Sequence, residues 1–391
     1  MNNWVKKGFT SPLFFNCPEL ALELWGIAKG TEIFTKISDL TGVKVQPTEK
    51  TLRKLLNEPW NATDTSANKL LKFYRKAFTK LGASDEDIKV FIEGKKEWTA
   101  RNGAWRSILF GFRRQYGARF FPNTLALVEQ LLNKEHIAFI EGRSNCPVDL
   151  ATAKFTQTEY YKKYALPLTG LDSFETVSKH TDIDNIVDDI EANVEFKHSV
   201  FHGGISLQMD ILACLEVEWL ANSDSCHLTG TKHQSAIVDI LPEFREGNII
   251  WPLDKLLLRW RTECGLTTWQ AMAAVIAKEK TVSDKERDDE THHEYTLRQI
   301  HDLRAKHRIA KDEVVMDWLK KLCEAGGLYY SEQANLGLYR VASFMTRLLR
   351  DCEADQKRSE NPDKELSPQQ LIAAFETYKL HFKHHLSAAE K

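Results

Sequence analysis

The chain has 391 residues, of which 42% are hydrophobic, and its formal net charge is −2. This length exceeds what one ordinary core holds, so we expect two or three modules. A total charge so close to zero indicates no partner by itself, but the charge is unevenly distributed. Residues 1–120 hold 21 basic and 12 acidic residues, whereas the remainder holds 32 and 43. This split predicts that the basic third meets an anionic partner, although solvated lysines on ordinary helices produce the same pattern.

Cysteine usage and the first thirty residues bear on the compartment. The seven cysteines are dispersed and form no C-x-x-C pair, which is typical of free thiols in a reducing compartment. The first thirty residues contain no apolar run of the length needed for a signal sequence or a membrane span. The sequence therefore predicts a cytoplasmic protein that does not enter a membrane.

The first strong pattern in chain order is "EIFTKISDLTGVKVQPTEKTLRKLLNE", residues 32–58. Apolar residues fall on one helical face up to Leu40, and Gly42 can adopt the left-handed conformation that ends a helix. Pro47 or Thr48 then opens a second helix. The side chains of this second helix that we expect to face outward are Lys50, Arg53, Lys54 and Asn57. A helix, a glycine turn and a second helix form the layout that lets the second helix enter a major groove.

Basic residues recur in the next two segments. "SANKLLKFYRKAFTKLG" predicts an amphipathic helix with Ser66 as its N-cap and Gly82 as its end. Its basic residues are expected to hold a nucleic-acid backbone, and they are Lys69, Lys72, Arg75 and Lys76. The segment 95–121 interleaves aromatic residues with arginines, including Arg113 and Arg114, in a pattern that suits phosphates and unpaired bases. Core aromatics surrounded by snorkelling arginines are the alternative for this segment.

Residues 20–82 resemble the lambda-repressor-like (Xre-type) helix-turn-helix families on the motifs just quoted. The resemblance implies a DNA-binding module in which the second helix probes the groove. On this layout Thr48 offers its hydroxyl and backbone N–H to a phosphate, lysine and arginine reach phosphates or guanine, and Asn57 pairs with adenine. A basic helical hairpin without a nucleic-acid partner remains open as the alternative.

The later chain also reads as helical. The segments 198–207 ("HSVFHGGISL") and 247–253 ("GNIIWPL") are the two for which we predict short strands. Residues 252–276 predict a helix that ends near Gly265 and a second helix capped by Thr267. The second helix is nearly uncharged, which favours packing or protein contact over groove reading. "SPQQLIAAFETYKLHFKHHL" predicts a helix with Ser367 as its cap and Pro368 in its first position. The polar stretches 282–295 and 353–368 are predicted linkers or exposed helix ends.

Motifs of enzyme chemistry are scarce. The sequence has no Gly-rich phosphate loop, no G-x-S-x-G elbow and no H-E-x-x-H. The acids of residues 182–191 could hold a divalent metal ion for phosphodiester cleavage, but a solvated acidic helix is the favoured interpretation. A zinc site is conceivable among six dispersed residues. The favoured interpretation is that they are buried thiols and scattered histidines that bind no metal ion together. They are His198, His202, Cys214, Cys226, His227 and His233.

These observations predict a mainly α, multi-helical protein. Residues 1–122 would form a basic helix-turn-helix-like module, 123–281 an acidic helical domain and 282–391 a C-terminal helical region. The predicted function is sequence-specific or architectural DNA binding without catalysis, so we expect no catalytic residue, metal or cofactor. Duplex DNA is the expected nucleic acid, and the acidic two-thirds would bind a protein partner or self-associate. The alternatives are a helical scaffolding subunit of a bacterial-type nucleoprotein or defence assembly, and a metal-dependent nuclease using residues 182–191.

Overall fold

The structure is a computed structural model of the chain. The residues that it describes are 32–45, 48–52, 64–85, 88, 121–128, 130, 161–170, 194–222, 234–277, 292–362 and 365–390. The chain divides into two compact units, Met1–Trp219 and Leu220–Lys391. The described residues are mainly helical, which confirms the predicted fold class.

The first described element of the first unit is helix α1 (Glu32–Thr41), which ends where the sequence predicts. Gly42 follows it with a φ of +65°, in the left-handed region that glycine enters at no steric cost. Residues 49–52 are helical, and Thr48 caps them because its Oγ1 accepts a hydrogen bond from the Thr51 N–H at 3.3 Å. Helix α1, the turn at Gly42 and the helical residues 49–52 therefore follow one another along the chain, and the helix-turn-helix module itself stays a prediction.

Helix α2 (Asp64–Lys80) packs against α1 through an aromatic core. The Phe34 ring lies 6.2 Å from the Phe73 ring and 5.9 Å from the Tyr74 ring, measured between centroids. Ser66 lies inside α2, so its prediction as the N-cap was wrong. An acidic residue such as Asp64 is stabilised beside the positive end of a helix dipole, which favours a helix that begins before Ser66.

The rest of the first unit contains all but the last three residues of the longest described helix. A five-residue π-helical turn (Tyr161–Ala165) leads into α3 (Leu166–Thr169), and α4 spans Val194–Asn222. The predicted strand at 198–207 was wrong because these residues lie inside α4. Gly203 and Gly204 each cost a helix about 1 kcal/mol, but most side chains from 202 to 220 are buried on all sides of α4. Tertiary packing thus overrides the local glycine signal.

The described part of the second unit is a set of helices with one small hairpin. Strands β1 (Glu243–Arg245) and β2 (Asn248–Ile250) pair antiparallel, so the strand predicted within 247–253 is confirmed. Glu246 and Gly247 connect them with positive φ values of 53° and 82°, as a two-residue hairpin turn requires. The helices are α5 (Ala236–Ile240), α6 (Pro252–Glu263), α7 (Trp269–Ile276), α8 (His292–Ala305), α9 (Asp312–Gly326), α10 (Glu332–Arg358) and α11 (Pro368–Ala389).

The helix caps of the second unit confirm one sequence prediction and shift another by one residue. Ser367 and Gln370 form a reciprocal capping box at the start of α11, with Pro368 in the first turn. Thr268, and not Thr267, caps α7, because the Thr268 Oγ1 accepts from the Ala271 N–H at 3.1 Å.

The predicted linkers and boundaries have different outcomes. Helix α10 runs to Arg358, so the first part of the stretch 353–368 is a helix end. Most of the stretch 282–295 lies outside the described residues, and α8 begins at His292. The module boundaries near 122 and 281 stay predictions.

Candidate nucleic-acid interface

Helix α2 separates its apolar and basic residues onto opposite faces. Each residue turns an α-helix by about 100°, which groups the core side chains Leu70, Phe73, Tyr74, Ala77 and Phe78 on one side. Four exposed cations lie on the other side within about 10 Å of helix length. We call them the basic face of α2, and they are Lys69, Lys72, Arg75 and Lys76. The exposure predicted for these four residues is confirmed.

The basic face of α2 carries uncompensated charge. Within the part of the chain that the structure describes, none of its four cations forms an ion pair, and α2 contains a single acid, Asp64. Several cations of the second unit behave differently. Lys306 and Arg308 both contact Asp302, at 2.7 and 2.8 Å. The basic face therefore leaves its charge available to an anionic partner, whereas these cations of the second unit are partly neutralised by their own chain.

Lys80 has a different role from the four cations of the basic face. Its Nζ donates to the Thr41 backbone oxygen at 3.1 Å, which satisfies a carbonyl at the C-terminal end of α1. The Thr41 hydroxyl in turn donates to the Ile37 carbonyl at 2.6 Å. These bonds join the end of α2 to the end of α1 and fix the relative position of the two helices.

The turn after α1 adds two exposed cations and a threonine cap. Lys50 is exposed in the helical turn 49–52, as predicted, while Leu52 is buried. Lys44 is also exposed, and sequence reasoning missed it, although its position two residues after Gly42 was a usable signal. The Thr48 hydroxyl lies 3.0 Å from the Thr51 hydroxyl and caps the turn. The Thr48 oxygen is the acceptor in the capping bond, so its O–H can still donate to a phosphate and would compete only with donation to the Thr51 hydroxyl.

Several predicted site residues lie outside the described residues. They are Arg53, Lys54, Asn57, Arg113 and Arg114. The structure thus describes the backbone-holding part of the predicted interface and the start of the predicted reading helix. The contacts of the base-reading side chains stay predictions.

Two other predictions concern metals and membranes. The acids of 182–191, on which the nuclease alternative depends, fall outside the described ranges. Across the residues that are described, no three or more His, Cys, Asp or Glu side chains gather into a group that could hold a metal ion. The same residues contain no helix whose length and hydropathy would let it cross a membrane.

Comparison with known proteins adds no relative to these observations. No protein-family model, curated protein or solved structure matches the chain.

Proposed function

We propose that this chain binds nucleic acid, with duplex DNA as the first candidate, and that it acts by binding rather than by catalysis. The observation that carries the proposal is the basic face of α2, whose four exposed cations have no acidic partner within the described part of the chain. A rigid helix with such a face is suited to contact several phosphates at once.

The energy of such binding comes mainly from the release of counterions. Each phosphate that a lysine or arginine neutralises steepens the slope of log K against log salt concentration by about 0.9. Three lysines of the basic face would therefore contribute a factor of about a hundred to affinity at 0.15 M salt. This term is independent of sequence, so it positions the protein without reading bases.

Base reading belongs to the second helix of the predicted motif. Lys50 begins it in an exposed position, and the predicted reading residues that follow in the sequence are Arg53, Lys54 and Asn57. Arginine and lysine pair with guanine, and asparagine pairs with adenine. If the helix continues as predicted, recognition would then depend on this second helix, and affinity on the basic face of α2.

The test is a binding titration with a fluorescent 30-base-pair duplex and the intact protein. The variant Lys69→Gln/Lys72→Gln/Lys76→Gln removes three cations, and we expect it to bind about a hundredfold more weakly at 0.15 M salt. The control Lys320→Gln/Lys357→Gln/Lys383→Gln makes the same change of net charge at exposed positions of the second unit. It should bind like the wild type.

Two results would count against the proposal. Equal weakening by both triple variants would mean that net charge matters and the face does not. Failure of the wild-type chain to bind duplex or single-stranded DNA would refute nucleic-acid binding. The scaffolding alternative would then gain support, and co-purification of a protein partner would test it.

A further inference from the structure

Helix α4 carries five polar or thiol side chains at four-residue intervals, His198, His202, Ser206, Asp210 and Cys214. Residues four apart are neighbours on the surface of a helix, so consecutive members of this series lie side by side. Four of the five are buried, and so are most of the described side chains of α4. Buried polar groups require partners, because an unsatisfied one costs about 1–3 kcal/mol.

Asp210 has such partners. Its Oδ2 accepts from the Tyr164 hydroxyl at 2.5 Å and from the Lys163 Nζ at 2.7 Å. The carboxylate is therefore both hydrogen-bonded and charge-paired, which accounts for its complete burial.

His202 differs from Asp210 in this respect. Its side chain is buried, with 4% of its surface exposed. Neither Nδ1 nor Nε2 has a hydrogen-bond partner among the residues that the structure describes. An orphaned buried polar group in a native structure calls for an explanation, and an ion is one of the few that apply.

His198 supplies a second imidazole one turn away on the same face. The centroids of the His198 and His202 rings are 6.2 Å apart, with an angle of 50° between the ring planes. Two imidazoles that bind one zinc ion, each at an N–Zn distance of about 2.0–2.1 Å, have centroids roughly 5 Å apart. His198 is partly exposed, so a small rotation of its side chain closes the difference of about 1 Å.

We propose that His198 and His202 chelate a divalent transition-metal ion, with zinc as the first candidate. Imidazole nitrogens suit this class of metal ion, and two histidines four residues apart on a helix can bind one ion together. No third ligating side chain joins the pair within the described residues, so the pair is a two-ligand chelate in the part of the chain that is described.

The position of the chelate suggests what the ion does. Gly203 and Gly204 follow His202 directly and weaken α4 at this point. An ion bound to His198 and His202 would cross-link the turn that precedes the two glycines. It would thereby stabilise the helical state of a segment whose own sequence disfavours it.

The test is a zinc competition titration of the intact, metal-stripped protein against a chromophoric chelator, followed by cobalt binding monitored in the visible spectrum. We expect His198→Ala and His202→Ala each to weaken zinc affinity at least about tenfold. The control His301→Ala changes an exposed histidine on α8 of the second unit and should keep wild-type affinity.

A second readout protects the test against misfolding of the His202 variant. His198 is partly exposed, and alanine is the best helix former, so His198→Ala should keep its helical circular dichroism. Zinc should raise the melting temperature of the wild type and of His301→Ala but not that of His198→Ala. Equal zinc affinity, or an equal rise in melting temperature, in the wild type and in His198→Ala would overturn the proposal.

Discussion

The substitution Glu218→Gln should open the helical segment 122–128 locally. The Glu218 side chain is buried, with 6% of its surface exposed, and its carboxylate accepts three hydrogen bonds at the start of this segment. The Asn123 N–H donates to Oε1 at 2.6 Å, and the N–H and the hydroxyl of Thr124 donate to Oε2 at 2.9 and 2.6 Å. The carboxylate therefore satisfies two backbone donors that have no partner within the helix, and it places a negative charge beside the positive end of the helix dipole.

The magnitude follows from these contacts. A hydrogen bond to a charged group contributes about 1.5–3 kcal/mol, and an anion at a helix N-terminus contributes about 0.3–2 kcal/mol. Glutamine keeps one acceptor oxygen but replaces the other with an NH₂ group that faces a donor. We therefore expect a loss of about 3 kcal/mol, which corresponds to a fall of about two orders of magnitude in the protection of these amides.

Hydrogen exchange measured by mass spectrometry is the suitable assay, because it reports opening of one segment in a chain with two compact units. Peptides covering residues 121–130 should lose protection in Glu218→Gln and less in Thr124→Ala, which removes one of the three bonds. The exposed Glu360→Gln in the second unit is the control and should change nothing in these peptides. A change smaller than about threefold in Glu218→Gln would refute the capping role assigned to this carboxylate.

Further substitutions test three other parts of the account. Asp210→Ala should lower the free energy of unfolding by about 3 kcal/mol, because it leaves the buried Tyr164 hydroxyl without its acceptor. Denaturant unfolding measures this loss, and a loss below about 0.5 kcal/mol would contradict the prediction. Burial holds the pKa of His202 at about 4, below its usual 6.5. As the pH drops from 6.5 towards 4, this histidine therefore binds a proton in the unfolded state but not in the folded state. The free energy of unfolding should fall by up to about 3 kcal/mol over that range. In the presence of a chelator, the free energy of unfolding of His202→Gln should fall less than that of the wild type between pH 6.5 and 4. An identical fall in both proteins would count against this role of His202. Gly42→Ala should cost about 1–2 kcal/mol because the φ of Gly42 is +65°. Gly337→Ala, at an exposed position of α10 where an added Cβ meets open space, should instead stabilise by about 0.5–1 kcal/mol. Equal effects of the two substitutions would contradict the conformational argument.

Features encoded locally were predictable from the sequence. Gly42 and Gly82 both have positive φ values and follow α1 and α2, as glycine-terminated helices do. Ser367 caps α11 because serine followed by proline and then glutamine supplies every group of a capping box. The exposure of the basic face of α2 was also predictable, since amphipathic periodicity alone places those residues opposite the core.

Features that depend on distant residues were not predictable. Lys80 looks like one more surface cation, yet its bond to Thr41 spans 39 residues of chain. The helical state of residues 198–207 depends on burial around α4, which two adjacent glycines conceal. His202 has no hydrogen-bond partner among the described residues, which is a property of the surrounding packing that no spacing in the sequence indicates.

The central claim is that phosphates contact the basic face of α2, and the salt dependence of duplex affinity tests it most directly. For the wild-type chain, log K should fall linearly with log salt concentration. In Lys69→Gln/Lys72→Gln/Lys76→Gln the steepness of that fall should decrease by about 2.7, which is about 0.9 for each lost contact. The control Lys320→Gln/Lys357→Gln/Lys383→Gln should keep the wild-type slope. An unchanged slope in the first variant would contradict the account, whatever its affinity.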